Sequence, residues 1–377
     1  MKSQPSAIVI GAGIVGLSMC RALNEKGFSV TVIERHPKAQ GASVRNFGMI
    51  WPVGQALGTG FDRAMRSREI WLEMSEKADF FAEKTGSLHL AYTDLEMQVV
   101  QEYVQKMEGI KSAEILKVSQ VQAKSPATKI EGLKGALWTE EEMIVDPREA
   151  IAKTAEYLQR LPGVEFIWNK AISRIEKNTV FSGQKSWSAD LVFVCSGADF
   201  ETLYPELFSE TSITKCKLQM MRLVQQPHSW RIGPPLCAGL SFIHYAGFQV
   251  APSLTQLKEV YKNQFPELLE LGIHVMVSQN GLGELTIGDS HEYGLDFTPF
   301  DQKHVNDLII DFLKTFAQFK DWSIGSSWHG IYSKMTNGAI EFVHQIDDYV
   351  TVVNGVGGAG MTLSFGLGEE VVAGLEF

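Results

Sequence analysis

Cysteine is scarce in this 377-residue chain: Cys20, Cys195, Cys216 and Cys237 lie far apart and form no C-x-x-C pair. That spacing excludes a disulfide framework and an ordinary zinc site, and it suits a reducing cytosol. Positive charge is also in deficit, with 34 Lys and Arg against 44 Asp and Glu and a formal net charge of -10. A surface that tracks nucleic-acid phosphates needs the opposite sign, so nucleic acid is excluded as a partner. An anionic small molecule would need its own local cation against that background. There is no Gly-X-Y repeat, heptad array or low-complexity tract, which removes fibrous and disordered classes. Clean membrane-length runs are missing too. Residues 349–368 carry no charge but are broken by Asn354, two threonines and six glycines, a poor lipid-spanning helix. Residues 7–20 look like a signal-peptide core, yet a nucleotide fold explains them better. The expectation is a soluble cytoplasmic protein without membrane contact. Its length suits about two domains, each able to bury a core.

The strongest signal is N-terminal. The apolar run Ala7-Ile8-Val9-Ile10 enters Gly11-Ala12-Gly13-Ile14-Val15-Gly16, a G-x-G-x-x-G. Helical spacing follows to Gly27, then Ser29-Val30-Thr31-Val32-Ile33 and the acid Glu34, 23 positions after Gly11. Strand, glycine turn, helix, strand and acid in this order form a dinucleotide-binding βαβ unit. Gly11 permits the tight turn, Gly13 lets backbone approach a diphosphate, and Gly16 lets helix pack on strand. The helix N-terminus offers free N–H groups and a positive dipole. Glu34 can accept both ribose hydroxyls, and its charge argues against NADP. The motif alone does not separate FAD from NAD.

Further along, residues 61–81 show amphipathic helical spacing, as do 301–319. Asp146-Pro147-Arg148-Glu149 is a helix start with an acidic N-cap and proline at the first position. Strands are predicted at 164–168, 190–198, 217–223, 274–278, 285–288 and 349–355. Nucleotide-domain elements thus occur at the start, middle and end of the chain, with sheet and helix inserted between them. The glycine-rich Gly357-Gly358-Ala359-Gly360-Met361-Thr362 leads into a final helix.

Taken together, the N-terminal motif, the loop 41–49, the strand 190–197, Trp328-His329-Gly330 and the loop 355–362 resemble the FAD-dependent D-amino-acid oxidase superfamily, in its glycine and sarcosine oxidase branch. The resemblance covers nearly the whole chain. It implies an α/β fold with a discontinuous Rossmann-type FAD-binding domain (1–54, 146–204 and 324–377). Residues 55–145 and 205–323 would form an inserted α+β substrate domain with a mainly antiparallel sheet. It implies noncovalent FAD, since no cysteine follows the Trp328 motif where sarcosine oxidases use one, and no metal. Cofactor contacts are implied for Gly11, Ala12, Gly13, Ile14, Val15, Gly16, Glu34 and Arg35. The same holds for Ala42, Ser43, Arg45, Asn46, Gly48, Met49, Ser196 and Gly197. Gly357, Gly358, Ala359, Gly360, Met361 and Thr362 would lie under the pyrimidine side of the flavin.

One departure bears on the substrate. Amino-acid oxidases of this superfamily read W-x-G-x-R, the arginine gripping the α-carboxylate. Here Trp328-His329-Gly330-Ile331-Tyr332 puts Tyr332 at that place, with Lys334 two residues on and on the same face of a strand. W-H-G-x-Y and Lys217-Leu218-Gln219-Met220 are similar to a smaller clade associated with aminophosphonate catabolism. That implies a small-molecule amine with a phosphonate tail, 2-aminoethylphosphonate or its N-methyl derivative, oxidised to an imine that hydrolyses to the aldehyde. O₂ is the implied acceptor. Tyr332 and Lys334 are the candidate substrate residues, with His244 and Tyr245 in the inserted domain; His329 would face the other way. The alternatives are glycine, sarcosine or D-amino acids held by another cation, an amine dehydrogenase feeding a quinone or carrier, and a noncatalytic flavin-binding protein. A monomer or small homo-oligomer is expected.

Overall fold

The computed structural model describes residues 4–375. The N-terminal motif lies at the centre of a six-stranded sheet. Its order is Phe342–Gln345, Val350–Asn354, Leu191–Val194, Ser6–Ile10, Ser29–Ile33 and Val164–Ile167. All neighbours are parallel except the edge pair of Phe342–Gln345 with Val350–Asn354. Strands buried on both faces read as continuous apolar runs, and the central one shows why. Ala7 and Val9 pack toward the helices Ile14–Glu25, Pro147–Gln159 and Gly360–Ala373, while Ile8 and Ile10 pack on the opposite layer.

That opposite layer is a three-stranded meander, Arg174–Glu176, Thr179–Ser182 and Lys185–Ser188. It is absent from the predicted strands. Its strands are short and polar, and Ile175, Val180 and Trp187 alone carry the apolar alternation.

The second layer system is a nine-stranded, almost wholly antiparallel sheet in which Leu236–Ala238 and Ser87–Ala91 form the parallel pair. Its long members are Ile213–Leu223 and Ile324–Met335, paired antiparallel. This corrects the expected layout: residues 324–335 belong to this sheet, not to the parallel one. The pairing partner lies about a hundred residues upstream, and local pattern carries no trace of it. The ends of the expected segments, residues 1–3 and 376–377, lie outside the described residues.

Element limits shift modestly. The helix predicted at 61–81 runs Thr59–Ala78 and stops at Asp79, whose φ of 55° is left-handed. The helix predicted at 301–319 is Lys303–Phe316. Asp146 caps its helix as expected, accepting the Arg148 N–H at 3.0 Å. The strand expected at 217–223 begins earlier, at Ile213. The one expected at 274–278 is Met276–Gln279, which leaves His274 ahead of the regular pairing. Among the described residues no helix is long and apolar enough to cross a membrane.

Candidate functional site

A cavity of about 510 Å³ runs along the carboxyl ends of the parallel strands and ends under the antiparallel sheet. Ligands of open α/β sheets bind at such strand ends. Its first end is built by the turn after Ser6–Ile10. Gly11 has φ of 104°, and a Cβ there would sit 2.5 Å from the Cys195 carbonyl oxygen. A Cβ on Gly16 would meet the Gly11 oxygen at 1.8 Å. Backbone, not side chain, therefore faces the cavity here.

The helix Ile14–Glu25 begins at Gly13 with no side-chain cap and no acid in its first turn. Gly360–Ala373 begins at Ala359 in the same way. Ser43 Oγ accepts the first N–H of the former helix, from Ile14, at 2.9 Å. Two helix N-termini free of acids on one cavity suit two regions of negative charge, a diphosphate and a reduced flavin ring,. Glu34 lines the ribose end and accepts N–H groups from Ala12 at 2.9 Å and His36 at 3.0 Å. Those bonds fix its carboxylate and leave further lone pairs for hydroxyls. Arg35 is tied to Asp199. The residues present thus fit an elongated dinucleotide such as FAD.

Most expected cofactor contacts line this cavity: Gly11, Gly13, Ile14, Val15, Glu34, Arg35, Ala42, Ser43, Arg45, Asn46, Met49, Ser196, Gly197 and all of 357–362. Three stand behind it. Ala12 spends its N–H on Glu34, and Gly16 packs helix on strand. Gly48 turns the chain at φ 73°, where a Cβ would meet the Val145 oxygen at 1.9 Å. Asn46 shapes its own loop, donating to Ala42 and Ser43 oxygens at 3.0 Å and accepting from Gly48 N–H at 2.8 Å. Arg45 donates one guanidinium nitrogen to the His329 carbonyl at 3.1 Å.

At the far end, the alternation of Ile324–Met335 turns Tyr332 and Lys334 into the cavity. The Tyr332 hydroxyl lies 3.3 Å from where a Cβ on Gly358 would be, against the last glycine loop. Burial pushes that phenol far up. Lys334 donates to the Tyr293 hydroxyl at 3.0 Å. His329 faces away, its Nδ1 2.8 Å from an Asp301 oxygen. Tyr245 donates to the Met276 sulfur at 3.1 Å.

His244 does not stand alone there. Its ring stacks on His274 at 3.6 Å between centroids, with His291 4.9 Å away and Asp289 beside the latter two. His244 is exposed along the cavity, whereas His274 and His291 are buried. Desolvation lowers all three imidazoles, His291 to about 4. It drives the Asp289 carboxyl well up. His274, Asp289 and His291, with Trp51, Met276, Lys170 and Ile172, are lining residues that pattern reading passed over. The i, i+2 pairs His274/Met276 and Asp289/His291 at the ends of predicted strands were the available signal.

The chain matches the model of the DAO family, described as FAD dependent oxidoreductase, over residues 6–373. It is 24% identical over 249 residues to a D-amino acid dehydrogenase of Helicobacter pylori, a match covering 51% of this chain and 60% of that relative. The match therefore spans less than two thirds of the relative's own length. A glycine oxidase structure from Geobacillus kaustophilus superposes with a TM-score of 0.75 at 17% identity, covering 97% of this chain and 93% of that one. An L-alpha-glycerophosphate oxidase from Mycoplasma pneumoniae with FAD bound gives 0.71 at 16% identity, covering 100% and 96%. At these identities the structures share the fold.

Proposed function

This chain belongs to the DAO family of FAD-dependent oxidoreductases, and on that premise we propose that it oxidises the C–N bond of a small amine with an anionic tail. The preferred substrate is an aminophosphonate, 2-aminoethylphosphonate or its N-methyl derivative, with O₂ as acceptor. The observation that carries this reading is the pair facing the cavity from one strand: Tyr332, where a carboxylate-gripping arginine would stand, and Lys334 beyond it. A lysine suits a multiply charged oxyanion as a point charge, without the planar fork a carboxylate prefers. A fold neighbour is by name an oxidase of a glycerophosphate, which supports room for a phosphoryl-type group in this architecture.

Bound FAD supplies the hydride acceptor; the chain supplies placement. Tyr332 orients the amine beside the glycine loop, Lys334 fixes the tail, and Met49, Trp51, Leu218 and Met220 wall out water. The resulting imine hydrolyses to an aldehyde, phosphonoacetaldehyde for the unmethylated substrate. Incubating holoenzyme with 2-aminoethylphosphonate in air and trapping aldehyde with a hydrazine tests this. Equal yields of trapped aldehyde and hydrogen peroxide are expected; no aldehyde, with ready turnover of glycine to glyoxylate, would refute it. The second reading, an α-amino acid substrate, has Arg45 in its favour, since that residue also lines the cavity.

A further inference from the structure

Three of the nine histidines converge on the cavity from three separate segments: His244, His274 and His291. Their ligating nitrogens all lie within 4.8 Å of one another. Asp289 stands behind them, its oxygens 3.4 Å from His274 Nε2 and 3.9 Å from His291 Nε2. His274 Nδ1 and Asp289 Oδ1 are both buried and have no hydrogen-bond partner. Buried polar atoms are nearly always satisfied, and orphans at a cavity wall point to a ligand that completes them.

Resting on the amine-with-anionic-tail reading above, we propose that His244, His274 and His291, with Lys334, form the seat of the substrate's tetrahedral oxyanion. The seat gains a proton as the anion enters.

Two features favour an anion over a metal ion. The His244 and His274 rings are stacked with only 28° between their planes. Their in-plane lone pairs run side by side instead of meeting on one ion. Lys334 also acts electrostatically on all three rings, which opposes a second cation. A group with three oxygens matches three imidazoles plus an ammonium better than a two-oxygen carboxylate does.

The proton follows from hydrogen bonding. His291 Nδ1 is 2.8 Å from the Gly272 carbonyl, which can only accept, so Nδ1 carries the hydrogen. In the neutral ring Nε2 then presents a lone pair. It can donate to an oxyanion only after taking a proton from solution, forming one new N–H bond. The groups around the ring are Asp289, its carboxyl pushed well up by burial, the other two imidazoles, Lys334 and Tyr293. A dianion beside the ring supplies the field that makes the charged imidazole favourable.

Inorganic sulfate is the clean probe, because it is tetrahedral, dianionic and does not itself titrate. Calorimetric titration of holoenzyme with sulfate in two buffers of different ionisation enthalpy should show about one proton taken up per anion bound. Sulfate and methylphosphonate should bind at least about tenfold more tightly than acetate. His291→Gln and, as an independent variant, His274→Gln should weaken sulfate about tenfold or more. They should raise the half-saturating concentration of 2-aminoethylphosphonate more than that of tail-less propylamine. Tetrahedral anions binding no better than acetate, or a chelatable metal recovered at one per chain, would overturn the seat. If 2-aminoethylphosphonate reduces the flavin but neither substitution moves its half-saturation, the seat is wrong and the functional reading stands. If sulfate binds as described and only carboxylate amines reduce the flavin, the functional reading is wrong and the seat stands.

Discussion

The ammonium of Lys334 lies 3.0 Å from the hydroxyl of Tyr293, whose ring is half-exposed and packs on His291. This bond holds the cation at the cavity wall. Removing the charge while keeping the length, as in Lys334→Met, leaves an anionic tail without that partner. A hydrogen bond to a charged group is worth about 1.5–3 kcal/mol, so half-saturation for an aminophosphonate should rise about ten- to hundredfold. Steady-state kinetics with and without the tail on the amine checks this. An equal effect on both amines would place Lys334 outside the anion's reach.

Gly11→Ala tests the cofactor cradle. The new Cβ would lie 2.5 Å from the Cys195 oxygen, at a φ that side chains rarely adopt. Left-handed strain alone costs about 1–2 kcal/mol, and the turn must move away from the diphosphate. Purified variant should carry less than about a tenth of the wild-type flavin, read from the absorbance ratio. A fully loaded variant would mean that backbone does not approach the cofactor there.

Acid should destabilise the fold through its buried imidazoles. Burial holds His89 down at about 3 and His291 at about 4, against roughly 6.5 in an unfolded chain. Between those values the unfolded state binds protons that the folded state refuses, so stability falls as pH falls through that window. For His291 the span is on the order of 3 kcal/mol. Melting temperature should drop from about pH 6.5 toward pH 4.5. His89→Leu, which removes two buried unpartnered nitrogens, should flatten part of that drop. A wild-type profile that is level over this range would contradict the assignment.

FAD should be released by acid denaturation. The four thiols are all buried, and burial pushes them up, away from the reactive thiolate,. Yellow colour should stay in the supernatant after precipitation; colour fixed in the pellet would establish a covalent bond.

What the chain discloses locally and what it hides divide along contact range. Gly11, Gly13, Gly16 and Glu34 act within one βαβ unit, so their spacing alone pointed to the first end of the cavity, which Gly11, Gly13 and Glu34 line with Gly16 packed behind. Asp146 was legible because a cap is a four-residue event. The strand Leu285–Gly288 appears with the predicted limits. By contrast, Ile324–Met335 chooses its sheet through Ile213–Leu223, far away in sequence. The meander 174–188 has too few apolar positions to stand out. The histidine seat was hidden most deeply. His244 ends a one-turn helix, and His274 and His291 fall just outside strands. Only the packing of those three segments turns ordinary histidines into a cluster.

The measurement that bears most directly on the account is anaerobic mixing of holoenzyme with 2-aminoethylphosphonate, its N-methyl form, glycine, sarcosine and D-alanine while following flavin absorbance. Rapid loss of the oxidised flavin band with the two phosphonates, and little change with the carboxylates, is the predicted result. Loss of the band with the carboxylates alone would contradict the roles given to Tyr332 and Lys334 and return the anion-binding task to a residue such as Arg45.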